Sequence, residues 1–112
     1  MISKALIAAS TKPIILAILL GGENYGYQII QSAKEISGGE LEWSDGMLYP
    51  VLHRLEKEGL IRSQWKLSEN GRMRKYYVIT ELGRDELEKE KTQWMSVHKA
   101  LSRLWTPVSA LD

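Results

Sequence analysis

Residues 43–77 read WSDGMLYPVLHRLEKEGLIRSQWKLSENGRMRKYY, and the order of patterns in this stretch decides the fold. Ser44 and Asp45 form a helix start, where a short polar side chain satisfies free N–H groups and a carboxylate complements the dipole. Met47, Leu48, Leu52 and Leu55 recur at three-four spacing, so a helix over 44–58 has one apolar side. Gly59 stops it. Two alternating segments, 60–67 and 72–79, follow and meet at Asn70-Gly71, a pair suited to a tight hairpin because both central residues take positive φ. Arg72, Arg74 and Lys75 lie just past that turn. A helix beside a basic-tipped hairpin is a shape that fits nucleic acid.

The outward side of the 44–58 helix carries Asp45, Gly46, Tyr49, Pro50, His53, Arg54 and Lys57. Together with Ser44 at the start, these residues are candidates for contact with a polyanion. Gly46 lets backbone approach another surface, and the helix start presents unpaired N–H groups to a phosphate. Tyr49 offers a hydroxyl to a phosphate or a ring to a sugar. His53 and Arg54 are placed to reach base edges in a major groove, arginine most specifically toward guanine. The plain alternative is a solvated face. Gly46 and Pro50 weigh against it, because both cost helix stability on the outward side alone, and positions that break local rules tend to be functional.

A hairpin loop of only Asn70-Gly71 pairs Leu67 with Arg74, Trp65 with Tyr76 and Ser63 with Val78, giving an apolar face of Trp65, Tyr76 and Val78 toward the core. On the other face Lys66 then opposes Lys75. Like charges directly opposite destabilise a hairpin, so the pair points to a polyanion that neutralises both, or to two lysines splayed into water. Arg72 at the tip fits a minor groove or a phosphate. A longer loop changes this pairing.

Upstream, a helical pattern covers 3–20, with Pro13 either in the first turn of a helix starting near Thr11 or inside a longer, kinked one. Gly21-Gly22 ends it. A second helix covers 25–36, with Ile29, Ile30, Ala33 and Ile36 to one side, and ends at Ser37-Gly38-Gly39. Downstream, Thr80 caps a last helix that reaches 104 or 105 before Pro107 ends it. The order is mainly α with a small β-hairpin: a winged helix-turn-helix domain over 1–79 and a long C-terminal dimerisation helix in 80–112.

Along that last helix Leu87, Trp94 and Leu101 recur every seven residues, with Val97 and Leu104 between them. Two apolar positions per heptad make a seam between helices. A second copy is the natural partner, since two half-sites about 34 Å apart need a two-fold dimer. Packing against the first helix is the alternative; both hold if the apolar run at 14–20 also borders the interface. Trp94 reads first as core. In a dimer, two copies of it would also flank a cavity fit for a planar apolar ligand.

Composition sets the outer bounds. The 112 residues make one domain, with 44% hydrophobic and 26% charged residues, ordinary for a soluble chain. The net charge of +1 is uninformative, but its distribution is not. Residues 54–75 hold seven Lys/Arg against three Glu, whereas 81–91 hold five acidic against three basic residues. There is no cysteine, which excludes disulfides, thiol chemistry and Cys-ligated zinc. The run at 14–20 is a poor signal peptide, interrupted upstream by Thr11-Lys12-Pro13, and is far short of the about 20 apolar residues that span a bilayer. A cytoplasmic location without a membrane partner is expected. The two histidines, His53 and His98, sit on different elements, and no Gly-rich phosphate loop is present, so no metal, cofactor or enzyme activity is expected.

Four segments carry a resemblance to a known family: Tyr25 to Ile30, Ser44 to Glu56, Glu58 to Ile61, and Gly71 to Tyr77, with Thr80 and Gly83 at the start of the last helix. They resemble the Gly-Tyr second helix, the Leu-Tyr-Pro recognition helix and the Arg-Lys-Tyr-Tyr wing of the PadR family of bacterial transcriptional regulators. The resemblance implies a homodimeric repressor that binds a palindromic DNA operator and releases it on effector binding. A single helix after the wing places the chain with the short subfamily. A multidrug-sensing member of that subfamily sandwiches planar drugs between tryptophans of its last helix, and Trp94 sits at the matching place. The acidic residue one turn later there is His98 here, a departure that puts cationic drugs in doubt and leaves aromatic stacking open. A winged-helix module for protein contact remains the alternative, distinguished by salt dependence of DNA binding.

Overall fold

The computed structural model describes residues 1–105. Its elements are α1 (Lys4–Leu20), β1 (Asn24–Tyr25), α2 (Gly26–Ile36), α3 (Asp45–Lys57), β2 (Ile61–Leu67), β3 (Met73–Ile79) and α4 (Glu81–Trp105). The three strands form one antiparallel sheet in the order β1-β3-β2. Winged helix-turn-helix geometry with an added long helix is therefore present.

Ser3 caps α1, its Oγ accepting from the Leu6 N–H at 3.3 Å. The helix runs unbroken through Pro13, so of the two sequence alternatives the longer helix is the one formed. A mid-helix proline costs stability; here the following turns offset it by burying Ile15, Leu16 and Leu19 almost completely. Those side chains meet Ile29 and Ala33 of α2 and Leu48, Leu52 and Leu55 of α3, as the three-four spacing requires. Ile36, grouped by spacing with the apolar side of α2, is instead 67% exposed.

At the end of α3 the Leu60 N–H reaches the Leu55 carbonyl and the Gly59 N–H reaches Glu56, both at 3.0 Å. This Schellman ending turns the chain directly into β2. Leu60 serves twice, since its carbonyl accepts the Thr80 N–H at 3.0 Å. Thr80 caps α4: its Oγ1 accepts from the Gly83 N–H and donates to the Gly59 carbonyl. Gly83 and Leu87 are buried, so the first turns of α4 share the core of the preceding residues. Lys12 of α1 holds Glu86 at 2.5 Å and Glu90 at 3.5 Å, tying α1 to α4. Pro107, the expected end of the last helix, lies outside the described residues.

The wing corrects one expectation. Strand partners are Leu67 with Met73, Lys66 with Arg74, Trp65 with Lys75 and Ser63 with Tyr77, one residue away from the register of a two-residue loop. The Ser68 N–H bonds the Arg72 carbonyl at 2.7 Å and the Gly71 N–H bonds Ser68 at 3.0 Å, leaving a three-residue loop, 69–71. Only Gly71, at φ 81°, is left-handed there; Asn70 has no positive φ. This is the turn-plus-bulge alternative to the tight Asn-Gly turn. A slip of one residue exchanges faces. The expected apolar face of Trp65, Tyr76 and Val78 is therefore not formed. Tyr77 and Ile79 point to the core with Ile61, and Trp65 is 61% exposed. Lys66 opposes Arg74 rather than Lys75.

Candidate nucleic-acid interface

The outward face of α3 is arranged as its sequence implies. Ser44 caps the helix, its Oγ accepting from the Met47 N–H at 3.2 Å. Asp45, Gly46, Tyr49, Pro50, His53 and Arg54 are all exposed, while Leu48, Leu52 and Leu55 are fully buried behind them. Pro50 has no N–H for the Gly46 carbonyl one turn back, so the helix ladder lacks that bond on its exposed side. The Glu56 carboxylate on the inner side of α3 accepts from both the N–H and the hydroxyl of Ser63 in β2. α3 and the wing are thus joined by a charge-assisted pair of bonds.

α2 meets α3 at close quarters. A Cβ on Gly26 would lie 2.3 Å from the Tyr49 hydroxyl oxygen, so the absent side chain is what admits the phenol. Tyr25 precedes α2 without a side-chain capping bond, and no acidic residue stands in the first turn. The positive end of α2 is left uncompensated beside Tyr49.

The basic residues of the wing fall into distinct settings. Arg72 is exposed at the tip. The Arg74 guanidinium lies 4.3 Å from the Tyr25 ring centre, and Tyr25 meets Tyr76 edge-on at 5.5 Å. Lys75 stands on the inner face, its ammonium 5.8 Å from the Tyr77 ring centre. Lys66 differs from the other three. Its ammonium is bound to the Glu23 carboxylate and lies 5.1 Å from the Tyr76 ring centre. The expected opposition of Lys66 and Lys75 is not formed; Lys66 faces Arg74 instead, so two cations still stand opposite each other, with Glu23 as counter-charge to Lys66 and the Tyr25 ring against Arg74.

Between wing, α2 and α3 runs a groove of about 510 Å³ lined by Gly26, Tyr27, Tyr49, Trp65, Lys75 and Tyr77 among others. Of these walls the sequence marks Tyr49, Arg74 and Lys75 for contact with DNA, assigns Trp65 to the core face of the hairpin, and gives Tyr27 and Tyr77 no contact role. Tyr27 is 63% exposed at the start of α2. Burial pushes the Tyr77 phenol up to about 12, with smaller contributions from Tyr49 and Glu56. The signal for Trp65 and Tyr77 depended on the register, which the loop length decides.

The second candidate region is on α4. Leu87 is 2% exposed and Trp94 and Leu101 are partly covered, whereas Val97 is 53% and Leu104 78% exposed. Between α1 and α4 lies a cavity of about 360 Å³ whose walls include Pro13, Ile14, Ala17, Ile36, Leu87 and Trp94. His98, one turn beyond Trp94, is exposed, with a ring nitrogen 3.5 Å from the Ser102 hydroxyl. Among the described residues no group of three or more His, Asp or Glu is placed to hold a metal ion. No described helix is long and apolar enough to cross a membrane.

Comparison with known proteins agrees with this geometry. The model of the transcriptional regulator PadR-like family matches residues 15–89. A Lysinibacillus sphaericus protein known as uncharacterized protein X is 31% identical over 101 residues, 90% of this chain and 93% of its own. The crystal structure of a PadR-like transcriptional regulator from Bacillus cereus superposes with a TM-score of 0.82 at 32% identity, covering 93% of this chain and 99% of that one. The negative transcriptional regulator PadR of Bacillus subtilis is 30% identical over 90 residues, which span 80% of this chain and 47% of that protein.

Proposed function

The chain belongs to the PadR-like family of transcriptional regulators, and on that premise we propose that it is a homodimeric, non-enzymatic repressor that reads a palindromic operator. The observation that carries this reading is the common groove: Tyr49 of α3 and Lys75 of the wing both open onto it. Ser44, Asp45, Gly46, Tyr49, Pro50, His53 and Arg54 form the face for a major groove, with His53 and Arg54 reaching base edges. Arg72, Arg74 and Lys75 hold the flanking backbone. Lys66 contributes less than its charge implies, because Glu23 already holds it.

The seam of Leu87, Trp94, Val97, Leu101 and Leu104 supports pairing of two copies through α4, for Val97 and Leu104 are apolar and exposed in one chain alone. Residues 1–79 are the DNA-reading unit and 80–112 the dimerising one, with the first turns of α4 built into the reading unit's core. The apolar cavity beside Trp94 supports an effector that is planar and apolar, with His98 at its margin. The negative regulator from Bacillus subtilis favours repression over activation.

The test is binding of labelled genomic fragments, beginning with the gene's own upstream region, over a range of salt. Binding that falls steeply as salt rises is expected, because phosphate contacts release counterions. Failure of every fragment to bind at low salt refutes the reading. Sedimentation of wild type and Leu104→Glu tests the seam: the wild type is expected as a dimer and the variant as a monomer.

A further inference from the structure

We propose that the groove between α2, α3 and the wing is a seat for one phosphodiester of duplex DNA, held by the hydroxyls of Tyr49 and Tyr77 and the ammonium of Lys75. This rests on the DNA-binding reading above and assigns it a specific backbone contact. Tyr77 is the first observation. Its side chain is 3% exposed and contributes to the groove wall, yet its hydroxyl has no hydrogen-bond partner among the described residues. The hydroxyl is not a buried orphan, a condition that among the described residues falls to Trp43 Nε1; its oxygen keeps contact with the solvent of the groove and can donate to an incoming acceptor. Burial keeps this phenol protonated far above neutral pH, so it arrives as a donor.

The surroundings select an anion. The start of α2 borders the groove through Gly26 and Tyr27, with no side-chain cap and no acid in its first turn, so the positive end of its dipole adds to the field there. Gly26 brings the Tyr49 hydroxyl against that turn. Lys75 supplies a full positive charge from the wing. The carboxylate acting on Tyr77, that of Glu56, is turned to the N–H and hydroxyl of Ser63.

The flanks select a diester over a free phosphate. Tyr27 and Trp65 border the groove and are 63% and 61% exposed, which gives apolar ring surface for the sugars on either side of the phosphate. A phosphate monoester has no use for two such walls. Because the contact is to backbone, it acts on any sequence.

The experiment measures affinity of the full chain for a synthetic DNA duplex of arbitrary sequence at several salt concentrations. Tyr77→Phe removes one hydroxyl and no hydrogen bond of the free protein, so its melting curve should match wild type. A donor lost from a charged acceptor is expected to weaken binding about ten-fold with the salt slope unchanged. Lys75→Gln should weaken binding and lower the slope of log affinity against log salt by about one. Should Tyr77→Phe lose its fold, Tyr49→Phe takes its place with the same expected result. Wild-type affinity in the folded phenylalanine variant overturns the seat while leaving the DNA reading intact. A wild type that binds no duplex at low salt overturns the DNA reading and the seat together. Inorganic phosphate at constant ionic strength is expected not to compete. Competition by it that Tyr77→Phe abolishes reassigns the site to a free anion and overturns the diester.

Discussion

Gly83→Ala is a substitution in which two effects of known size act in opposite directions. Alanine in a helix is favoured over glycine by about 1 kcal/mol, so at an open position the change stabilises. At Gly83 the space is taken. A Cβ there would lie 2.1 Å from the Leu60 carbonyl oxygen and 2.8 Å from a side-chain carbon of Ile79. That oxygen accepts the Thr80 N–H at 3.0 Å, so it cannot retreat without stretching the bond that starts α4. Overpacking a filled site costs about 1–3 kcal/mol, and a buried backbone pair left unmade about 1–3 kcal/mol more. Subtracting the helix gain leaves a net loss of about 1–5 kcal/mol. For a domain of this size that corresponds to a melting temperature lower by about 4–20 °C. The assay is thermal denaturation followed by circular dichroism, at matched protein concentration so that association does not contribute differently. A Gly83→Ala variant that melts at or above the wild-type temperature refutes the reasoning, because it shows that α4 moves aside at no cost.

Gly46→Ala should behave in the opposite way: its new methyl meets nothing closer than the Ser44 hydroxyl at 3.9 Å. Melting is expected to rise by a few degrees, from about 1 kcal/mol of helix preference, while duplex affinity falls; a variant that binds as wild type removes the close backbone approach. Arg72→Ala should weaken binding to all sequences and flatten the salt slope, whereas Arg54→Ala should change which bases are preferred, and equal effects on every sequence sink that division. A hydrogen bond from Lys12 holds the Glu86 carboxyl below its ordinary value of 4.5. The stability it contributes is complete above about pH 4.5 and is lost as pH falls through the depressed folded value. Glu86→Gln should therefore flatten the acid limb of a urea-midpoint against pH curve, and an unchanged limb refutes the contribution.

The parts of this fold legible in sequence are those where one local signal has one structural solution. Ser44 caps a helix, and Leu48, Leu52 and Leu55 bury one side of it. Gly59 closes it, and Thr80 opens the next. Asn70-Gly71 is different, because a glycine at that place serves two turns. It can be the second residue of a tight turn or the left-handed residue after a three-residue loop, and the pattern of the strands tolerates both. The choice rests on Ser68, whose N–H bonds the Arg72 carbonyl and whose carbonyl takes the Gly71 N–H. One residue of slip then moved Tyr76 and Val78 off the inner face and left Trp65 in the groove. β1 escaped notice because two residues carry no period. The groove itself draws on Gly26, Tyr49, Trp65 and Tyr77, which belong to four elements, and no spacing rule along one element gathers them. Glu23 and Lys66 are likewise far apart in the chain, so their pairing is visible only in three dimensions.

The peptide of Leu60 has a consequence at the scale of the assembly. Its N–H closes α3 and its carbonyl receives the start of α4, so a single joint sets the angle between these two helices. α4 has 25 residues and is about 38 Å long. A change of tilt of about 10° at that joint therefore displaces the far end by about 7 Å. In a two-fold pair built on α4, the joint works as the hinge of a caliper whose opening is the distance between half-sites. Grafting the α4 of a relative onto this chain would then reset the number of base pairs between half-sites while leaving the bases chosen within each one unchanged.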